Sequence, residues 1–273
     1  REEGYVTHLI NEHSVQFIQE HQNEPFCLYV AHEAPHYPFQ GPDDEAIREE
    51  GNPGREDRDP ERVKRAYTEM VQVMDDGIGQ ILDTLEELNL SKNTFVFFCS
   101  DNGALSFGSN GDLRGWKGSL WEGGHRVPAI AWWPGKVQSG TTTNALTITL
   151  DVRPTIAELV GHTFPPEHKI DGRSLLPVVL HGETNEDRWL FWEYEEQQAA
   201  RHGQWKVLRN VFDDVGGRPR LGAGLFNLTE DPSETTNLAE QYPERTKSMI
   251  AALGDWYQDD FDDMAIQPMN VDE

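Results

Sequence analysis

Hydrophobic positions recur every three or four residues in three long stretches, which predicts amphipathic helices. The predicted helices cover residues 5–21, 60–88 and 151–161. The second has further start signals, because Asp59 is a favoured N-cap residue type and Pro60 suits the first helical position. Continuous apolar runs instead predict buried strands at residues 26–30, 94–99 and 127–133. Helices that alternate with such strands indicate an α/β fold with a mostly parallel sheet flanked by helices.

The pattern changes near residue 186, where short apolar and aromatic segments separated by turns begin. These segments predict a small antiparallel sheet with strands at residues 189–194, 204–209 and 224–228. A last helix is predicted from Pro243 to about Phe261. We therefore expect two domains, residues 1–185 and residues 186–273, the second a small antiparallel sheet plus a helix.

Composition narrows the classes of function. The 273 residues carry a formal net charge of −25 at pH 7, which argues against binding to nucleic-acid phosphates. An acidic excess of this kind is usually a solvated surface that keeps a protein soluble. No apolar run reaches the roughly 18 residues of a membrane span. Cys27 and Cys99 lie inside apolar runs, so we expect small buried hydrophobic residues and not disulfide partners or zinc ligands.

The start of the sequence carries no targeting signal. It opens with Arg1-Glu2-Glu3-Gly4, without an initiator methionine and without the apolar region of a signal peptide. We therefore expect a segment that begins partway through a longer protein.

A pair of hard metal-ligand types follows one predicted strand. Asp101 and Asn102 come directly after residues 94–99, and the carboxyl ends of strands in an open α/β sheet form the edge where ligands bind. Carboxylate and amide oxygens suit calcium or magnesium. The alternative is an ordinary turn, because Asp-Asn-Gly is common turn chemistry. The residues alone leave both interpretations open.

Other polar side chains lie in nearby loops. Lys117 is in a Gly-rich loop, where its ammonium either meets an anionic oxygen or faces solvent. His36 lies between two prolines after the first predicted strand, which suits a ligand contact, although a lone histidine is more often structural. His32 has a similar but weaker claim. Glu122 and Arg126 flank a Gly-Gly turn and are interpreted as a structural ion pair.

Five short motifs, taken in order, change these separate interpretations. They are Ala-Pro-His-x-Pro, Met-Asp-Asp-Gly-Ile-Gly on the long helix, Ser-Asp-Asn-Gly, Gly-x-Lys-Gly and Trp-Glu-Gly-Gly-His-Arg-Val-Pro. The ordered set resembles the downstream portion of the type I, formylglycine-dependent sulfatases of the alkaline-phosphatase-like superfamily. The resemblance continues through residues 170–177 and 225–238, so it covers nearly the whole chain.

The resemblance implies a hydrolase that cleaves the sulfate ester of a sulfated small molecule or glycan, with a calcium ion at the sulfate and magnesium as the alternative ion. It makes Asp101 and Asn102 two of the metal ligands. It makes Lys117 and His36 catalytic residues that contact the sulfate, neutralise its charge and assist departure of the alcohol. His125 is expected to be a further substrate-binding residue. The family is commonly periplasmic, secreted or lysosomal, which favours a periplasmic or secreted protein.

The nucleophile of that family is not found among these residues. Sulfatases place two adjacent aspartates near their N-terminus, followed by Cys (or Ser)-x-Pro/Ala-x-Arg, whose first residue is oxidised to formylglycine. Neither Cys27 nor Cys99 begins such a motif, and Asp75-Asp76 lies on the predicted long helix. We therefore expect formylglycine in a missing N-terminal segment or a second chain, and no activity from these residues alone.

Two other functions stay open at this point. A phosphoesterase or phosphonate hydrolase would keep the fold, although those branches usually use other, often His-rich, metal ligands, and the Gly-x-Lys-Gly motif argues against it. A non-catalytic relic or binding protein would retain half of a metal or sulfate site.

Two expectations concern the rest of the molecule. A sheet that lacks its first strands exposes edges and apolar surface, so we expect a chain that is poorly stable or that self-associates. Glu193, Tyr194 and Trp205 are expected near a substrate pocket, with a core position as the alternative for Trp205.

Overall fold

The computed structural model describes residues 2–46, 59–105, 107–184, 187–211, 220–257 and 269. They belong to two compact units. The first unit comprises residues 1–96 and 132–136, and the second comprises residues 97–131 and 137–273. The domain boundary at residue 185, expected from the change of pattern near residue 186, stays a prediction. The last residues of the predicted C-terminal helix lie outside the described part of the chain.

Two helices dominate the first unit. Helix α1 (Val6–Glu20) packs against helix α2 (Pro60–Glu87), where the Asn11 side chain donates a hydrogen bond to the Val73 carbonyl at 3.1 Å. The Asp59 side chain accepts from the Glu61 N–H, and Pro60 opens the helix. Both predicted helices and the predicted cap are therefore confirmed.

The loop that carries His36 lies on α2. Ala34 and Phe39, on either side of His36 in the sequence, are buried against Val63, Ala66 and Met70 of the helix. A short 3₁₀ helix follows α2 at Ser91–Asn93. The apolar face of α2 thus anchors a loop whose middle is left exposed.

The predicted buried strand at residues 26–30 is wrong. No strand is assigned there, and exposed and half-buried residues alternate, with Tyr29 88% exposed. Leu28 and Val30 line a shallow apolar groove together with residues of α1. A strand needs a hydrogen-bonded neighbour, and none of the described residues provides one here. Cys27 is consequently exposed, not buried as predicted.

The other two predicted strands form. Strand β1 (Val96–Cys99) and strand β2 (Ala129–Trp132) make a two-stranded sheet. Their expected burial is wrong, since β1 is only half-buried, Cys99 included, and Ile130 is 60% exposed. Between and after these strands lie helices α3 (Glu122–His125), α4 (Val152–Leu159) and α5 (Leu176–His181), with a 3₁₀ turn at Thr149–Asp151.

A four-stranded antiparallel sheet forms the body of the second unit. Its strands, in spatial order, are β3 (Trp189–Tyr194), β4 (Gln197–His202), β5 (Trp205–Val211) and β6 (Arg220–Asn227), and helix α6 (Pro243–Tyr257) follows. The predicted antiparallel sheet and last helix are confirmed. Strand β4 was not predicted, because Gln-Gln-Ala-Ala-Arg-His contains no β-branched residue and no Phe, Tyr or Trp.

Both faces of this sheet are covered. One face packs on α6 through Ala200, Val207 and Leu253, and the opposite face packs on Leu120 and Trp121. Double coverage buries alternate residues in both directions, which explains why β4 is buried from Gln197 to Ala200. The loop before α3 therefore rests directly on the sheet.

None of the described helices is long and apolar enough to cross a membrane.

Candidate functional site

The Asp101-Asn102 pair forms a turn directly after β1. The Asn102 N–H donates to Asp101 Oδ1 at 2.9 Å, and the Ser100 hydroxyl donates to the Asn102 carbonyl at 3.0 Å. Asp101 is exposed and Asn102 is half-buried. The turn presents one carboxylate and one amide from adjacent positions while its backbone is fixed by local hydrogen bonds.

A close backbone contact continues this turn into the Gly-rich segments. The Gly103 N–H donates to the Gly124 carbonyl at 2.9 Å, and a Cβ at Gly103 would collide with the carbonyl oxygen of Gly123. The Gly123 N–H donates to the Arg114 carbonyl at 2.7 Å. Glycine is needed here because two backbone segments touch without room for a side chain.

Lys117 is held beside the same turn. Its N–H donates to the Ala104 carbonyl at 3.1 Å, two residues after Asn102. The Asn110 side chain braces both segments, since its Oδ1 accepts from the Ala104 N–H at 2.8 Å and its Nδ2 donates to the Gly115 carbonyl at 2.9 Å. The structure thus brings Lys117 and the Asp101-Asn102 turn together in one loop system, as the motifs implied.

His36 belongs to the first unit. It is exposed, its N–H donates to the Glu33 carbonyl at 2.8 Å, and its Nδ1 lies 2.9 Å from the Tyr37 carbonyl. A carbonyl only accepts, so Nδ1 carries the proton and Nε2 is the nitrogen left for a ligand. The peptide bonds before Pro35 and Pro38 are cis.

His32 has a different environment. Its Nε2 lies 2.7 Å from Asn11 Oδ1 on α1, and burial lowers the pKa of its imidazole. The ring is therefore neutral at neutral pH and helps to join the loop to the helix, in keeping with its weaker claim as a ligand contact.

Glu122 and Arg126 do form the expected ion pair, at 3.5 Å, but it is one edge of a larger buried cluster. The Lys206 Nζ, fully buried on β5, lies 2.9 Å from Glu122 Oε1 and 2.9 Å from Glu234 Oε1. The Arg201 guanidinium lies 3.4 Å from Glu122 Oε2. We call Glu122, Lys206 and Glu234, with the flanking His125 and Arg201, the buried ion cluster.

The protonation of the two glutamates differs because their surroundings differ. Burial opposes ionisation of Glu122, but the positive charge of Lys206 outweighs it and lowers the pKa to about 2. Burial raises the pKa of Glu234 to about 7 against the attraction of Lys206, with the negative charge of Glu122 adding to the rise. One lysine thus pairs with two carboxylates, and Glu122 stays ionised to a lower pH than Glu234 does.

His125, the predicted further substrate contact, lies in this cluster. Its Nε2 is 3.1 Å from the Leu120 carbonyl and 3.1 Å from Lys206 Nζ, and its ring packs on Trp192. Burial, then the charge of Lys206, lowers the pKa of His125 to about 3, so the ring is neutral at neutral pH. A role in substrate binding stays a prediction.

The three residues predicted near a pocket differ in exposure. Glu193 and Tyr194 are exposed at the end of β3. Trp205 is half-buried, with the Tyr242 ring edge-on at 5.2 Å and the Arg245 guanidinium 4.5 Å above its face. These contacts favour the core alternative for Trp205.

The donors present fit part of a calcium site. Calcium takes about six to eight oxygen ligands. The Asp101-Asn102 turn supplies a carboxylate and an amide side by side. Within the described ranges, no group of three His, Cys, Asp or Glu side chains could hold a metal ion. The two residues therefore suit a shared site that other oxygen donors must complete.

Comparison with known proteins places this loop system in a family. The sulfatase family profile matches residues 2–162, more than half of the chain. The chain belongs to the sulfatase family. A second profile, N-sulphoglucosamine sulphohydrolase, C-terminal, matches residues 115–256 of this sulfatase, so the expected C-terminal portion of a type I sulfatase is confirmed.

Individual relatives of the chain are also sulfatases. The chain is 35% identical to human N-acetylgalactosamine-6-sulfatase, over 84% of this chain and 45% of that protein. It is 34% identical to mouse steryl-sulfatase, over 92% of this chain and 44% of that protein. The chain spans about half the length of the curated relatives it matches.

Solved structures confirm the fold class. Ps i-CgsB in complex with k-i-k-neocarrahexaose superposes with a TM-score of 0.77 at 30% identity, covering 93% of this chain and 55% of that one. The α/β, alkaline-phosphatase-like architecture expected from the motifs is therefore correct, with a small antiparallel sheet and helix toward the C-terminus.

Sequence reasoning missed the residues that hold the sulfatase loops from behind. These residues are Gln197, Lys206 and Glu234. Each forms a hydrogen bond to Leu120 or Glu122 in the loop, which lies 77–112 positions earlier in the sequence. Glu122 was the one visible signal, but the sequence paired it with Arg126 and not with residues of the C-terminal sheet. Its partners follow no spacing rule.

Proposed function

We propose that this chain carries the downstream half of a sulfate-ester hydrolase site, in which Asp101 and Asn102 hold a calcium ion and Lys117 and His36 contact the sulfate. The observation that carries the proposal is the hydrogen-bonded contact between the Lys117 backbone and the segment just after Asn102, inside a region matched by the sulfatase family.

The chemistry of Lys117 supports this role. Its side chain is half-buried, and in the part of the chain that is described no carboxylate pairs with its ammonium. An ammonium without a carboxylate partner is available to an anionic ligand oxygen. A sulfuryl group in transfer carries charge on its peripheral oxygens, and a fixed cation stabilises that charge.

Asp101 and Asn102 are proposed as two oxygen ligands of the ion. When bound, calcium neutralises charge on the sulfate oxygens as a Lewis acid. The carboxylate of Asp101 accepts from the Asn102 N–H but lacks a cationic side-chain partner within the described residues, so no side-chain charge there competes with an ion for it.

His36 is proposed to act on the departing alcohol. Its Nδ1–H is donated to the Tyr37 carbonyl, which leaves Nε2 as the ring nitrogen for a ligand. When the ring takes up a second proton at Nε2, that proton can be donated to the oxygen of the departing alcohol.

The nucleophile and the remaining metal ligands are proposed to come from a formylglycine-bearing segment outside these 273 residues. No Cys-x-Pro/Ala-x-Arg or Ser-x-Pro/Ala-x-Arg sequence occurs within them. We propose a sulfated glycan as substrate, because N-acetylgalactosamine-6-sulfatase is named for a sugar and Ps i-CgsB was solved with an oligosaccharide. We also propose a periplasmic or secreted location, which the resemblance to the family favours.

Peptide mass spectrometry of the protein from its source tests the nucleophile. We expect a Cys-x-Pro/Ala-x-Arg peptide whose cysteine has lost the mass that separates a thiol from an aldehyde. Absence of any such peptide, in modified or unmodified form, would favour the non-catalytic alternative.

Hydrolysis of 4-nitrophenyl sulfate and of sulfated oligosaccharides by that protein tests the site. We expect Lys117→Ala to lower kcat by about 10²–10³-fold, the usual cost of one charge-stabilising group. The matched control is Lys247→Ala, an exposed lysine of α6, which should leave kcat unchanged. Asp101→Asn should raise the calcium concentration needed for half-maximal activity. Equal activity in wild type and Lys117→Ala would overturn the assignment.

A further inference from the structure

Strand β4 reaches the loop that carries Lys117 through one side chain. The Gln197 amide is fully buried; its Nε2 donates to the Gly118 carbonyl at 2.8 Å, and its Oε1 accepts from the Leu120 N–H at 3.2 Å. We propose that Gln197 is a positioning residue for Lys117. The proposal rests on the proposed function for what Lys117 does, but not for how its loop is held.

The backbone is held on both sides of Lys117, at its own N–H and, one residue later, at the Gly118 carbonyl. On one side, the Lys117 N–H donates to the Ala104 carbonyl at 3.1 Å. On the other side, the Gly118 carbonyl accepts from Gln197. The backbone around Lys117 is therefore hydrogen-bonded to the segment that follows the Asp101-Asn102 turn and to strand β4 of the C-terminal sheet.

A local hydrogen bond closes the turn at this point, from the Ser119 N–H to the Trp116 carbonyl at 3.0 Å. Gly118 has a φ of +89°, in the left-handed region where a glycine has wide conformational freedom. The amide of Gln197 bridges this residue and Leu120, much as a neighbouring strand would. Without it, the half-buried Gly118 carbonyl and the buried Leu120 N–H would lose their partner, and the loop would move to satisfy them.

The far end of the loop has an independent anchor. The Glu122 N–H donates to Glu234 Oε2 at 2.6 Å, and the Glu122 carboxylate pairs with Lys206. Loss of Gln197 should therefore loosen the loop locally, around residues 117–120, while the buried ion cluster keeps α3 in place. This separation makes the proposal testable.

The consequence for catalysis follows from the length of the lysine side chain. Its flexible stem gives the ammonium many positions, so the backbone must set where the charge can be held. A charge-stabilising group acts fully only when its position is fixed before the reaction, and an error of about 1 Å can cost about 100-fold in rate.

The neighbouring glutamine provides a matched control. Gln198 lies on the same strand and is also buried, but its Oε1 accepts from Arg209 Nη1 at 2.6 Å and not from the loop. Gln197→Leu and Gln198→Leu therefore remove the same amide from adjacent positions, and only the first should affect Lys117.

Amide hydrogen exchange of the 273-residue chain tests the positioning without any need for activity. In Gln197→Leu, we expect exchange in peptides covering residues 113–121 to rise about tenfold, with the β4–β5 hairpin unchanged. Gln198→Leu should leave residues 113–121 as in wild type. A uniform rise across the chain in Gln197→Leu, or no rise at residues 113–121, would overturn the proposal. If Gln197→Leu does not fold, Gln197→Glu retains the acceptor for Leu120, loses the donor to Gly118, and is judged by the same peptides.

Kinetics of the natural protein distinguish an effect of Gln197 that acts through Lys117 from one that is independent of Lys117. Gln197→Leu should lower kcat about 10–100-fold with a smaller change in KM, and should have no further effect in a Lys117→Ala background. An equal loss in both backgrounds would show that Gln197 does not act through Lys117. If wild type hydrolyses no sulfate ester, the proposed function fails, while the exchange experiment still decides whether Gln197 holds the loop.

Discussion

Residues 26–30 and strand β4 have opposite sequences and opposite surroundings. The first is a continuous apolar run, yet Cys27 is exposed and Tyr29 is 88% exposed. The second begins with two glutamines, yet it is buried at four consecutive positions. The difference lies in the layers that cover each segment. Strand β4 has paired strands at both edges and packing on both faces, whereas among the described residues the first segment is flanked by α1 alone.

The second unit, whose sheet is covered on both faces, also buries charged side chains. A lysine and two glutamates lie inside the second unit because their hydrogen bonds and ion pairs are made to one another. Such a cluster is costly to break, since removing one partner leaves an uncompensated charge in the interior. The three predictions below use this contrast, in order of expected effect.

The largest effect is expected when Lys206 is replaced by methionine. The change keeps much of the side-chain volume but leaves Glu122 and Glu234 without their shared cation, at a cost of about 3–5 kcal/mol in the free energy of unfolding. Urea denaturation followed by tryptophan fluorescence measures it. Lys247→Met, on the exposed face of α6, should change stability by no more than about 0.5 kcal/mol. Similar results for the two variants would mean that the cluster contributes little.

Truncating one leucine in each region compares the two environments directly. Leu253→Ala removes a fully buried side chain between α6 and the sheet and should cost about 2–5 kcal/mol. Leu28→Ala removes a half-buried side chain from the groove on α1 and should cost less than about 1 kcal/mol. A large cost for Leu28→Ala would show that another surface covers the groove in solution. Light scattering would then identify self-association, which stays a prediction.

The pH dependence of stability should be shaped by Glu234. Its pKa is raised to about 7 in the folded chain, so folding favours its neutral form, and stability is lost as pH rises from about 4.5 toward 7. Glu122 and His125, with pKa values of about 2 and about 3, act in the opposite sense. Their contributions are lost as pH falls below the unfolded values of roughly 4.5 and 6.5.

Glu234→Gln isolates the first of these effects. We expect it to reduce the loss of stability between pH 5 and pH 7 by about 1–3 kcal/mol, because the neutral amide does not ionise. Unfolding curves at a series of pH values would measure this. The comparison variant is Glu230→Gln, an exposed glutamate of the turn after β6, whose pH profile should match wild type. A Glu234→Gln profile parallel to wild type would contradict the raised pKa.

Local rules were sufficient for some elements. The period of apolar residues and the Asp59-Pro60 start identified α2, and the aromatic segments identified β3 and β5. The ordered motifs predicted that Lys117 lies near the Asp101-Asn102 turn. In each case the determining contacts lie within a few residues of one another in the sequence, or are fixed by a family pattern.

Other features depend on partners that the sequence does not mark. Lys206 resembles any lysine until Glu122, 84 residues earlier, is placed beside it. Gln197 similarly gains its role from Gly118 and Leu120. Residues 26–30 failed in the opposite direction, because apolar composition indicates a preference for burial but does not supply the neighbour that a strand requires.

Met269 gives the C-terminal sheet one more property. Its N–H donates to the Ala223 carbonyl on β6 at 2.9 Å, Asn237 donates to its carbonyl at 2.8 Å, and its side chain is buried beside Trp121 and Phe226. The outward backbone of β6 is therefore already occupied at this point, and it is not open to pairing with another molecule. A recombinant fragment cut at the end of α6 would uncover that edge, so expression boundaries should be drawn beyond Met269.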